Sequence, residues 1–180
     1  MRILIWLLAI AGGLVVTAAV VIFAGGYLLP REVTVARSIE INAAPEEVFP
    51  HVNSLKAMEA WSPWLSRDPD VKLTYNDVEQ GSGATMEWAS EQPDVGSGRQ
   101  EITASTPNES VETALDFGEM GLAKAQFLLA PADGATTVTW TLETDMGGGP
   151  VGRWMGLMMD GWVGADYEQG LENLKTLVEE

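Results

Sequence analysis

From Val71 to Glu143 the chain alternates apolar and polar side chains, and that period admits one local structure. Strands with a single buried face repeat every second residue; helices do not. Val71, Leu73 and Tyr75 alternate with Lys72 and Thr74, and Ala84, Met86 and Trp88 with Thr85 and Glu87. A strand near 99–105 is expected to turn Ile102 and Ala104 inward. Val111, Thr113, Leu115 and Phe117 oppose Glu112 and Asp116. Ala125, Phe127 and Leu129 make the next inward set, and Val138, Trp140 and Leu142 the last. Gly81-Ser82-Gly83, Gly96-Ser97-Gly98, Pro107-Asn108 and Pro131-Ala132-Asp133-Gly134 supply the turns, and Gly118 and Gly121 bracket a loop. An earlier run, 32–42, places Val33, Val35, Ile39 and Ile41 on one face, interrupted by Arg37. About seven strands with short polar turns predict a curved antiparallel sheet with one buried face.

Something must cover that face. After Gly147-Gly148-Gly149-Pro150 the period changes, and helical pieces are expected near 151–160 and 163–179. Val163, Tyr167, Leu171, Leu174 and Leu177/Val178 form one stripe, with Asp166, Glu168, Glu172 and Lys175 outside it. The concave face of the sheet is its natural partner. Between the first two strands lies a helix beginning near Pro45, with Asn42 or a neighbour as its cap and Glu46 and Glu47 in its first turn. Pro50 should shorten it. A second short helix, 54–60, leads into Trp61-Ser62-Pro63-Trp64.

The N-terminus is a different material. Ile3 to Leu29 is 27 residues without a charge, with Trp6 and Tyr27 near its ends. About 20 apolar residues span a bilayer, and aromatic rings favour its interfaces. Residues 1–30 therefore read as a single-pass transmembrane anchor and residues 31–180 as one domain. A cleaved signal peptide is the alternative, although its apolar core is usually only about 7–15 residues long. Arg2 and the α-amino group on one flank nearly balance Arg31 and Arg37 on the other. The two-residue N-terminal flank tips the expected orientation towards an extracytoplasmic domain.

Charge and composition exclude several chemistries. The chain carries −16, and since Arg2 is the only charge before residue 31, the remainder carries −17. So acidic a surface does not suit nucleic acid. With no cysteine and one histidine (His51), a zinc or copper site is not expected, and no cofactor is implied. Asp68-Pro69-Asp70 and Asp77-Val78-Glu79 lack a calcium-loop spacing and read as solvated turns. There is no Gly-x-Ser-x-Gly elbow. Glu87, Glu101, Asp116 and Glu143 lie on the outward parity, which leaves no inward carboxylate pair. Arg37 shares the inward parity, as a rim salt bridge or a handle for a polar ligand end.

The order of elements, with Ile41-Asn-Ala-Ala-Pro-Glu-Glu-Val-Phe49, Trp61-Ser-Pro-Trp64, Gly81-Ser-Gly-Ala-Thr-Met-Glu-Trp88, Thr136-Thr-Val-Thr-Trp140 and Gly170-Leu-Glu-Asn-Leu-Lys175, resembles the START-like (SRPBCC) superfamily. Within it, the opening is similar to the polyketide cyclase/dehydrase and lipid-transport family. That resemblance implies an α+β helix-grip fold, a sheet wrapped on a long C-terminal helix, with a hydrophobic cavity between them. Fold alone does not carry function. The apolar residues expected to line the cavity or its mouth are Trp61, Trp64, Met86, Trp88, Phe117, Phe127, Trp140, Met155 and Met159. One of the two indoles of the Trp-Ser-Pro-Trp loop should seal the grip and the other stand at the mouth. The Met155–Met159 run, rich in glycine around it, reads as a lid or a membrane-facing flap. Three functions stay open. The first is a membrane-anchored carrier of a hydrophobic small molecule or lipid. The second is a cyclase- or dehydratase-type enzyme using His51, Arg37, Tyr75 or Tyr167. The third is an envelope module docking a protein partner.

Overall fold

In the computed structural model, which describes residues 2–180, a seven-stranded antiparallel sheet carries a long helix on one face. Helix α1 (Arg2–Gly26) precedes strand β1 (Glu32–Ile41), helix α2 (Pro45–Val52) and two single 3-10 turns, Ala57–Ala60 and Leu65–Arg67. Strands β2 (Lys72–Tyr75), β3 (Thr85–Ala89), β4 (Ser97–Thr106), β5 (Ser110–Asp116), β6 (Leu122–Ala132) and β7 (Ala135–Asp145) follow, and α3 (Pro150–Glu179) closes the chain. The sheet order is β1-β7-β6-β5-β4-β3-β2, so β1 closes against the last strand and α3 lies along it.

The period-two reading survives in nearly every strand. Val35, Met86, Ile102, Val111, Phe127, Leu129, Val138 and Trp140 are buried on one face. Strand β4 departs from it: a bulge between Ile102 and Ala104 moves Ala104 to the surface and turns Ser105 inward. Ser105 then meets the side chain of buried Asn53 at 2.6 Å. Gln100 also faces inward and is 7% exposed. At the other end of the sheet, Asp133-Gly134 turns β6 into β7 with both residues at positive φ, as a tight two-residue hairpin requires.

Three local expectations are corrected. Helix α2 starts with Ala44 at the cap, whose N–H donates to Glu47 at 3.0 Å, because Asn42 is taken by Glu179 of α3. Asp68 is buried, not solvated, and accepts hydrogen bonds from the Ser90 hydroxyl and the Asp70 N–H. Helix α3 is one continuous 30-residue helix rather than two pieces. Gly152, Gly156, Gly164 and Gly170 sit where α3 presses on its neighbours, whereas Gly161, at the expected break, faces open space. At Gly164 a Cβ would land on the Arg37 guanidinium, and at Gly170 it would lie 2.9 Å from the Trp140 ring. Close approach costs helix propensity there and gains packing.

Helix α1 ends at Gly26, and Tyr27–Leu29 continue as hydrogen-bonded turns. The side chains of residues 1–5, 7–9 and 11 lie outside the described residues. Among those described, no helix is long and apolar enough to cross a membrane, so the transmembrane helix expected over 3–29 is not established by the fold.

Candidate functional site

Strand pairing and helix contact bring four of the nine expected residues into one cluster, with Trp140 at its centre. Trp140 of β7 is directly opposite Phe127 of β6, and their rings stack at 4.8 Å. Tyr167 of α3 stacks on the other side at 3.8 Å, with an interplanar angle of 9°. Trp61 and Trp64 stand edge-on to Trp140, at 5.4 and 5.6 Å. Gly170 makes room for the indole and for Pro63 of the same loop. Aromatic pairs of this kind each contribute about 0.5–1.5 kcal/mol beyond the area they bury.

The loop indoles divide their work. Trp61 is 1% exposed and donates to the His51 carbonyl at 3.1 Å, so it seals the grip. Its own carbonyl accepts from Asn173 of α3 at 3.1 Å. Trp64 is half-buried and touches both Trp140 and Tyr167 at the margin of the cluster.

The other five residues lie elsewhere. Trp88 and Phe117 pair edge-on at 5.8 Å, half-buried near the opposite side of the sheet. The Trp88 ring lies across Gly98 on β4, and its N–H donates to Val95 at 3.2 Å. Met86 is buried on β3, two residues before Trp88, on the face that also carries Gln100 and Thr113. Met159 is partly buried against the core. Met155 is 45% exposed on α3, away from the aromatic cluster.

The space between sheet and helix is thus largely filled by rings. A groove of about 620 Å³ lies instead across the outer face, where Thr34, Glu143, Lys124, Arg99 and Glu101 contribute polar groups. Within the aromatic cluster the polar inventory is short. Buried Trp140 Nε1–H has no hydrogen-bond acceptor. Burial pushes the Tyr167 hydroxyl pKa up, so it is a neutral phenol.

Two of the polar candidates for catalysis, Arg37 and Tyr75, are held in side-chain contacts. Arg37 donates to Glu168 at 2.6 Å and to Asp160 at 2.9 Å, clamping α3 to the β1 edge. These contacts raise the guanidinium's pKa and hold the Asp160 carboxyl below its ordinary range. The Tyr75 hydroxyl donates to Glu59 at 2.8 Å, and burial, then that carboxylate, raise its pKa. His51 is half-buried on α2, with its carbonyl used by Trp61. Among the described residues, no group of three or more histidine, aspartate or glutamate side chains could hold a metal ion.

One strand, short helices, six strands and a long helix gripped by the sheet define a helix-grip domain, whose interior aromatic wall is its most developed internal feature. The chain belongs to the polyketide cyclase/dehydrase and lipid transport family, whose model matches residues 32–179. Solved structures agree on the fold. Protein CV1439 from Chromobacterium violaceum is similar with a TM-score of 0.58 and 18% identity, covering 82% of this chain and 99% of that one. The Aha1 dimer from Colwellia psychrerythraea is similar at 0.56 and 18%, covering 82% and 96%. The di-domain ARO/CYC StfQ of the steffimycin biosynthetic pathway reaches 0.62 at 11% identity, covering 82% of this chain and 51% of that one. No curated protein matches the sequence.

Sequence reasoning finds the inward residues of β6 and β7 from parity alone. It misses Gln100, which the alternation around Ile102 does mark as inward but whose polarity disguises it. It also misses the stacking of Tyr167 on Trp140, since a helix stripe does not reveal which strand it will meet.

Proposed function

We propose that this domain binds a hydrophobic small molecule or lipid against the aromatic wall between sheet and α3, and that residues 3–29 hold it at a bilayer. One observation carries the ligand reading. The Trp140 indole N–H is buried among stacked rings without an acceptor. A buried donor left unmade costs about 1–3 kcal/mol. A ligand with an apolar body and one carbonyl, carboxylate or hydroxyl oxygen would satisfy that donor by displacing part of the ring packing around Trp140. Half-buried Trp64 then stands at the entrance, and rotation of its ring admits the ligand. Membership of a family described by lipid transport and cyclisation supports the same class. The anchor reading rests on the uncharged run itself, and the domain is taken to lie on the extracytoplasmic side.

Native mass spectrometry of the full chain in a nonionic detergent tests the reading, with palmitate as the probe. The expected result is a one-to-one palmitate adduct that Trp140→Phe weakens several-fold. The substitution keeps a ring in the stack and deletes the donor. Absence of any adduct, together with unchanged tryptophan emission on palmitate addition, would overturn the ligand reading.

A further inference from the structure

The first half of α3 presents an apolar face to solvent, and its position beside α1 identifies what covers it. Val151, Trp154, Met155, Met158 and Trp162 recur at three- and four-residue steps, so they lie on one side of the helix. All five are exposed, Trp162 by 54% and Val151 by 69%. The opposite side of α3 faces β1, where a Gly156 Cβ would meet Val33. A helix that is apolar on both sides needs a second apolar partner.

That partner begins with α1. The Trp154 indole N–H donates to the Ile22 carbonyl at 2.8 Å, and Gly26 lies directly under Pro150. The Arg153 guanidinium caps the end of the same segment, donating to the Tyr27 carbonyl at 2.8 Å and the Leu29 carbonyl at 3.2 Å. It also stands 5.7 Å from the Tyr27 ring centre. A cation at a helix C-terminus is favourable, so this junction is specified, not incidental. It also sets a depth. Ile22 is seven residues before Leu29, the last residue of the uncharged run. Four of those steps, Ile22 to Gly26, are helical, so at 1.5 Å per helical residue Trp154 meets α1 about 6 Å before its helical end. The exposed surface of α1 at this level, including Val21, Ile22 and Phe23, is apolar as well.

We infer that Val151, Trp154, Met155, Met158 and Trp162 form a bilayer-embedded face. It would seat the N-terminal half of α3 in the acyl–headgroup boundary beside α1. This rests on the reading of residues 3–29 as a membrane anchor. The chemistry suits a lipid surface. Between Pro150 and Met159 the only charge is Arg153, at the junction itself. Tryptophan at a helix surface favours the interface, and methionine and valine favour the acyl region. The rest of the domain, at −17, is repelled by anionic headgroups, so this uncharged face is the part of it that can approach lipid. The arrangement brings the helix that carries Tyr167, and so the aromatic wall, to the source of a lipid ligand.

The chain has no cysteine, so single nitroxide labels can be placed on the full chain in phosphatidylcholine vesicles. Met158→Cys reports the face, Leu14→Cys reports α1, and Ala130→Cys reports the far end of β6. The expected result is that labels at 158 and 14 are relaxed more by molecular oxygen than by a nickel chelate, and that the label at 130 shows the reverse. A lipid signal at 14 with a water signal at 158 would overturn the inference and leave the anchor standing. Water signals at both would overturn both. Lipid at 158 with water at 14 would remove the anchor and, with it, the inference as stated, which seats the face beside a membrane-embedded α1. Dipolar broadening at 158 would place a second copy on the face and overturn the inference. Each variant is scored only where near-ultraviolet circular dichroism matches the unsubstituted chain.

Discussion

Arg37 is the residue around which the grip is fastened, and Gly164 is the reason it can be. The guanidinium lies where a Gly164 side chain would be, donating on one side to Asp160 and on the other to Glu168. Mid-helix glycine to alanine normally stabilises by about 1 kcal/mol. Here the added methyl displaces the guanidinium from both carboxylates, so Gly164→Ala should be neutral or destabilising in urea unfolding. In an Arg37→Ala background the same change should regain the full ~1 kcal/mol, which a double-mutant cycle reads directly. Equal effects in both backgrounds would show that Arg37 does not depend on that space. The pH dependence follows from the same contact. Asp160 has a depressed pKa because Arg37 hydrogen-bonds its charged form. Its unfolded form binds protons more readily, so the contribution is present above the ordinary carboxylate pKa of ~4 and fades as pH falls through the lower folded value. The stability gap between the unsubstituted chain and Arg37→Ala should therefore be constant from pH 7 to about 5 and narrow below about 4. A gap that widened on acidification would contradict this.

At the scale of elements, most of the sheet is legible in the sequence. A buried face selects apolar residues at every second position, and that selection is visible without coordinates. The inward parity of Phe127, Trp140 and Val138 is therefore readable, and with it two of the five rings of the aromatic cluster. Legibility ends where tertiary contact overrides a local preference. The bulge after Ile102 has no composition of its own, yet it exchanges Ala104 for Ser105 on the inner face. Asp68 looks like a solvated turn acid until Ser90, 22 residues away, donates to it. The glycines of α3 have the worst non-proline helix propensity, and a local reading places a break near residue 161. Contact with β1, Met146 and Trp140 keeps the helix whole. Hydrogen exchange should accordingly show one protected block across Gly161, with exchange slowest around buried Gly164, Tyr167 and Leu171. A fast-exchanging gap at 160–163 would restore the two-helix arrangement and, with it, a lid.

For the whole molecule the governing quantity is charge. The full chain carries −16, and among the described residues its ion pairs are mostly at the surface. Two opposed effects then respond to salt. Exposed pairs contribute about 0–1 kcal/mol each and weaken as salt rises. Repulsion among acids acts over longer distances, and folding concentrates it by drawing the acids together. The screening length falls from about 30 Å at 0.01 M to about 10 Å at 0.1 M. That interval removes interactions between distant acids and largely spares donors and acceptors in direct contact, such as Arg37 with Asp160 and Glu168. From residue 31 on, the acids outnumber the bases 26 to 9, so most charge–charge separations in the domain are repulsive ones. The melting temperature of the full chain in a nonionic detergent at pH 7 should therefore rise as sodium chloride is raised through that interval, and flatten beyond it. The rise should vanish near the sequence pI of about 4.2, where net repulsion is gone. A melting temperature that falls with salt at pH 7 would mean that the clamps holding α3 to β1, rather than the excess of acids, dominate the electrostatics of the fold.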